Sequence, residues 1–164
     1  LNLSVNNMKK LLAIFVLSLL WCNVSFADNL KVIDGDTIVL NGEKIRFSGI
    51  DAPEYNQDCM NGDTKVFCGV FAMVLLTKKI GDEKLKCIKE GRDVYGRTLA
   101  ECFVNGESLS SFLVRHGYAF AYRKYSKKFI KDEEYAKKNK IGMWVMEFEF
   151  PWNFRKNKSK RALS

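Results

Sequence analysis

Apolar residues change their spacing several times along the chain, and each change predicts an element. Residues 11–20 are unbroken apolar sequence, too short for a bilayer span of about 20 residues. Across 30–40, β-branched and apolar residues flank a tight Asp34-Gly35-Asp36 turn and predict two strands. Asn41-Gly42 is a hairpin signal; in the strand that follows, Ile45 and Phe47 share one face and Arg46 takes the other. Pro53 ends that strand. Val66, Val70 and Val74, with Phe67, Phe71 and Leu75, recur every four residues and predict a helix to about Lys79, closed by Gly81. Residues 85–88 and 98–104 predict two strands joined by a charged hairpin from Gly91 to Gly96. Ser108 is placed to cap a helix over 109–116, with Gly117 ending it and His116 able to bond its free carbonyls. A third helix is expected over about 129–140, with Ile141 and Trp144 docking after it and Glu133, Glu134, Lys137 and Lys138 on its exposed face. The sequence from Asn153 carries five basic residues and little to bury, so 153–164 is expected to be a flexible basic tail. Five strands interleaved with two or three helices, without βαβ regularity, predict an α+β fold.

Composition narrows the class. The chain has 164 residues, enough for one domain, and 27 Lys and Arg against 19 Asp and Glu give a net charge of +8. That excess calls for an anionic partner, and a single histidine excludes a two-His zinc centre. Met8-Lys9-Lys10, the apolar run 11–20 and the small-x-small end Ser25-Phe26-Ala27 describe a signal peptide cleaved after Ala27. Residues 1–7 then lie upstream of a start at Met8, and an uncleaved anchor is the alternative. The remaining 28–164 has 137 residues, a net charge of +6 and four cysteines. An exported protein, periplasmic or secreted, with an even number of cysteines is expected to hold two disulfides, and the spacings lack the short knuckle of a zinc site. Three pairings are open, although Cys87 and Cys102 would face each other if their strands pair antiparallel.

Asp36, Asp51 and Glu54 sit on turns or strand ends, and oxygen-only ligands of this charge suit a hard cation. Arg46 and Arg97 add two planar donor forks able to grip phosphate oxygens at any working pH. Alone, each carboxylate is an ordinary turn residue and each arginine an ordinary surface ion pair. Together they supply what phosphodiester hydrolysis needs: charge stabilisation at the phosphate and a base for the attacking water. Tyr122 and Tyr125, interleaved with Arg123 and Lys124, could stack a base and hold its backbone, and Tyr95 beside Arg97 is a third candidate contact.

Val32-Ile33-Asp34-Gly35-Asp36-Thr37, Ile45-Arg46-Phe47, Gly49-Ile50-Asp51-Ala52-Pro53-Glu54 and Asp93-Val94-Tyr95-Gly96-Arg97-Thr98-Leu99-Ala100 resemble the staphylococcal nuclease (thermonuclease) family in order and spacing. The segments 113–119, 142–144 and 150–152 extend the likeness, which covers about 30–152. The resemblance implies an OB-fold, a five-stranded barrel with about three helices, as the nuclease domain over 28–152. It also implies a calcium-dependent endonuclease, using one Ca²⁺ ion, that cuts DNA and RNA and leaves 3′-phosphate ends. By position, Asp36, Asp51 and the main-chain carbonyl of Ala52 carry over as metal ligands, Glu54 as general base, and Arg46 and Arg97 as phosphate clamps. A monomer is expected and no protein partner is implied; the rival reading is an OB-fold module that binds nucleic acid without cutting it. Ala52 replaces a threonine and Val94 a lysine of the family's best-known member, which also lacks cysteines. The expected pairs in this branch are Cys59–Cys68, tying the loop after Glu54, and Cys87–Cys102, stapling the hairpin that presents Arg97.

Overall fold

The structure, a computed structural model, describes residues 28–162; the expected signal segment and the expected start at Met8 lie outside the described residues. Asp34-Gly35-Asp36 turns β1 (Leu30–Val32) into β2 (Thr37–Leu40), and Asn41-Gly42 turns β2 into β3 (Glu43–Phe47). Asn41 and Gly42 both have positive φ, 51° and 83°, the backbone this two-residue hairpin requires. The chain then makes the short β4 (Ile50–Asp51), the hairpin β5 (Cys59–Asn61) and β6 (Thr64–Val66), and helix α1 (Cys68–Ile80). It returns as a long hairpin, β7 (Leu85–Arg92) and β8 (Thr98–Val104), followed by β9 (Glu107–Ser108), α2 (Leu109–Arg115) and β10 (Phe120–Ala121). Helix α3 (Ile130–Lys138), a 3₁₀ turn at Gly142–Val145 and α4 (Pro151–Arg161) complete it.

The main sheet runs β1-β2-β3-β8-β7, with β9 on β8. All its ladders are antiparallel except β3–β8, which is parallel because α1 carries the chain over between them. The result is a curled half-barrel of α+β class, OB-like as expected. Inward-facing Ile38, Ile45 and Phe47 meet Leu76 of α1 and Leu109 and Leu113 of α2 in the main core. A second cluster gathers around buried Phe120, whose ring lies 5.5, 5.1 and 5.0 Å from those of Trp144, Phe148 and Phe150.

Several expectations need correction. The helix expected from Val66 begins at Cys68, because Val66 pairs with Cys59 in the β5–β6 hairpin. Glu133 is not on an exposed face: it is buried, its carboxylate accepts the Ala121 N–H at 3.0 Å, and it pairs with Arg123. The residues from Asn153, expected to flex as a tail, are helical to Arg161, so the described residues hold four helices rather than three. Pro151 occupies the first helical position, where its missing N–H costs nothing. Trp152 then stacks on Phe150 (4.6 Å, 10°) and on Tyr122 (5.7 Å, 5°). The expected cysteine pairing is present: Cys59–Cys68 joins β5 to the start of α1, and Cys87–Cys102 bridges β7 and β8.

Candidate active site

The carboxylates arrive from turns that the sheet fixes. Asp34 Oδ1 accepts the Asp36 N–H at 3.1 Å, closing the β1–β2 turn, and the Asp36 carbonyl accepts the Phe47 N–H at 2.8 Å. Asp36 is thereby locked beside β3, where Arg46 pairs across the ladder with Thr37. Asp51 ends β4 opposite Phe120 of β10 and is fully buried. Glu54, about one-third exposed, follows on a loop whose shape depends on Gln57. Gln57 is fully buried; its side-chain oxygen faces the Glu54 N–H at 3.3 Å and its amide donates to the Glu149 carbonyl at 2.6 Å.

Two small residues of α1 let these turns approach. A Cβ on Gly69 would lie 1.8 Å from the Glu54 carbonyl oxygen. A Cβ on Gly35 would lie 2.7 Å from that of Ala72 and 2.8 Å from that of Ala52. The two site turns thus sit on neighbouring positions of one helix face, and nothing larger fits between.

Arginines join the carboxylates. Arg46 donates to Asp36 Oδ1 and to Asp51 Oδ1, both at 2.6 Å, bridging the two with one fork. The face opposite the core, where the alternation placed it, is therefore no open surface: its side chain is 15% exposed. Asp36 is completed by Thr37 Oγ1 at 3.0 Å and the Ala52 N–H at 2.8 Å. Burial pushes the Asp36 carboxyl from its ordinary 3.8 up to about 7; Arg46 pulls it down, and Asp34 and Asp51 push it up again. Burial also works against the Arg46 charge, but Asp36 and Asp51 outweigh it and hold the guanidinium above its ordinary range.

A second arginine, absent from the sequence-based candidates, completes the group. Arg155 of α4 donates through Nη1 to Asp51 Oδ1 (3.0 Å) and Glu54 Oε1 (2.8 Å), and through Nη2 to Asp51 Oδ2 (2.8 Å). Its signal lay in Pro151-Trp152 followed by residues free of Gly and Pro, a helix start that would carry Arg155 one turn on from Trp152.

Arg97 stands apart from the carboxylates. Asp93 accepts its Nε–H at 2.6 Å and its backbone N–H at 2.9 Å, and also the Tyr95 N–H at 2.9 Å, so one carboxylate shapes the turn and aims the guanidinium. Burial acts against the Asp93 charge, but these donors win and hold its carboxyl below the ordinary range. Arg97 nonetheless lines the same cleft, of about 1060 Å³, as Arg46, Glu54 and Arg155. Tyr95, Tyr122 and Tyr125 line it too, with Tyr95 and Tyr125 strongly exposed and Tyr122 held between Tyr125 and Trp152.

Among the described residues no three Asp, Glu, His or Cys side chains converge as a ready metal site. Asp36, Asp51 and Glu54 are instead linked through guanidinium groups. The donor set still suits a hard cation: oxygen atoms only, and a buried carboxyl pushed towards neutrality, which a cation would relieve.

Residues 44–146, more than half of the chain, match the family model described as staphylococcal nuclease homologue. The match starts after Asp36 and stops before Arg155. The chain is 32% identical over 118 residues to the staphylococcal-like nuclease CAN1 of Arabidopsis thaliana, covering 70% of this chain and 34% of that protein. It is 32% identical over 118 residues to the succinoglycan biosynthesis protein ExoI of Rhizobium meliloti, covering 70% and 62%. An uncharacterized endonuclease of Haemophilus influenzae is 28% identical over 122 residues, covering 70% and 64%. The chain thus spans from one third to just under two thirds of the length of these relatives.

Proposed function

The chain belongs to the staphylococcal nuclease family, and on that premise we propose that it is a calcium-dependent endonuclease that hydrolyses DNA and RNA and leaves 3′-phosphate ends. One observation carries the reading: buried Asp36 and Asp51 are tied through Arg46 and Arg155 directly behind a cleft lined by Arg46, Arg155, Arg97 and the one-third-exposed Glu54. Asp36, Asp51 and the Ala52 carbonyl would hold one Ca²⁺, which when bound supplies charge stabilisation at a phosphate oxygen. Glu54, the most exposed of the three carboxylates, is placed to take the proton of an attacking water. Arg97, aimed by Asp93, and Arg46 grip the phosphate oxygens as negative charge grows on them. Exposed Tyr125 offers a ring to a base, and Tyr122, packed between it and Trp152, backs it.

The two disulfides support an oxidising compartment, and with it an exported protein. No helix among the described residues is long and apolar enough to cross a membrane.

Digestion of single-stranded DNA tests the reading. Activity with Ca²⁺, its loss in chelator, and a fall of at least about 100-fold in Glu54→Gln are expected. Full activity in chelator or in Glu54→Gln would overturn the mechanism. Tight DNA binding without cleavage under any divalent cation would instead make this a binding module.

A further inference from the structure

Asp51 is fully buried, and both of its oxygens are engaged by arginines of unequal anchorage. Arg46 sits in the middle of β3, between β2 and β8, with its side chain 15% exposed. Arg155 reaches in from the terminal helix, and its side chain is 39% exposed. Among the described residues Arg155 is the donor to Asp51 Oδ2, and it alone spans Asp51 and Glu54. Asp36, by contrast, is satisfied by Arg46, Thr37 and the Ala52 N–H, none of which belongs to α4.

We infer that Arg155 is a built-in counter-cation of this site, which a divalent cation must displace from Asp51, so that α4 sets the affinity for the ion. The inference rests on the reading of Asp36 and Asp51 as cation ligands. Two guanidinium groups and a divalent cation cannot all share the Asp51 oxygens without strong like-charge repulsion, and Arg155, the more exposed of the two arginines and the one on Oδ2, is the partner free to leave. Leaving does not require α4 to unfold. Its start is held independently by buried Pro151, by Trp152 stacked on Tyr122 and Phe150, and by the Asn157 to Glu149 hydrogen bond. The displaced side chain stays in the cleft with Arg97, where a phosphodiester is the next anion within reach. Without the ion, the same guanidinium keeps a buried carboxylate compensated and Glu54 in place.

Calorimetric titration of the metal-free protein with CaCl₂ tests this at fixed pH and ionic strength. Arg155→Gln should bind Ca²⁺ about tenfold more tightly than the natural sequence, the weight of a charge-assisted hydrogen-bonded contact. Arg155→Lys keeps the charge without the fork and should fall between the two. It also carries the test if Arg155→Gln loses its folded circular dichroism spectrum. Lys158→Gln removes one charge from an exposed position of the same helix and should change affinity less than twofold. Equal or weaker binding in Arg155→Gln overturns the inference, and so does an equal gain in Lys158→Gln, which would reduce the effect to bulk charge. Absence of Ca²⁺ binding in all four proteins would remove the cation reading of the carboxylates itself.

Discussion

Asp36 shows how one residue can weigh on stability through its setting. Its folded carboxyl titrates near 7 and its unfolded one near 3.8, because burial penalises the charge. Between those values the folded state holds a proton that the unfolded state has lost, so its contribution to stability falls as pH rises from about 4 to 7 and is flat above. In metal-free protein, Asp36→Asn removes this slope. Urea denaturation at pH 4.5 and pH 8 should show the variant gaining on the natural sequence by on the order of 2–4 kcal/mol towards the higher pH. A gap independent of pH would mean that Arg46 and the Ala52 N–H already compensate the carboxylate. Residue type in combination, and the family resemblance, brought Asp36, Arg46, Asp51 and Glu54 forward as candidates, and the structure places them in one ion-pair group with Arg155. Neither could show that Arg46, expected to grip a phosphate, rests on two aspartates, since that depends on what surrounds it in space.

Helix α1 works as a platform through what its residues lack. Gly69 lies against the Glu54 loop and Ala72 against the Asp34–Asp36 turn. Gly69→Ala drives a methyl group against the Glu54 carbonyl, and backbone cannot yield as a flexible side chain does. The variant should remain folded at a cost of about 1–3 kcal/mol. Its turnover should drop by about 100-fold, the usual effect of moving a reacting group by an ångström. A chevron or melting curve reads the first and steady-state cleavage the second; unchanged turnover would show that the loop position is immaterial. The periodicity of α1 was legible because its apolar residues repeat every four. The value of its small residues was not, because hydrophobic pattern records what a face buries and not how close a neighbour must come. The same limit hid β4 and β10, two-residue strands whose pairing sets the backbone position of Asp51.

At the scale of the whole molecule, two covalent links reinforce a small core. Cys87–Cys102 closes a sequence separation of 15 residues, worth about 3 kcal/mol through the unfolded chain. Cys87→Ser with Cys102→Ser should lower urea stability by about that amount and leave cleavage at 25 °C nearly intact; an unaltered midpoint would mean the unfolded chain is already restricted there. The fold class and the order of long elements could be read in advance because β-branched runs, turn dipeptides and helix caps are local signals. The C-terminal helix escaped because its packing partners, Phe150 and Tyr122, stabilise it only once the second aromatic cluster has formed. The parallel β3–β8 ladder joins residues about fifty positions apart, a separation that makes such pairing slow. Arg46 and Arg97 reach a common cleft only when that register is made, and a slip of one residue would turn their neighbours to the wrong face. No fragment ending before β8 can therefore contain the whole site. Assembly of the site is timed by topology: the cleft gains Arg97 only once the β7–β8 hairpin has docked on β3, and Arg155 only once α4 has packed, so the proposed activity cannot precede those two steps.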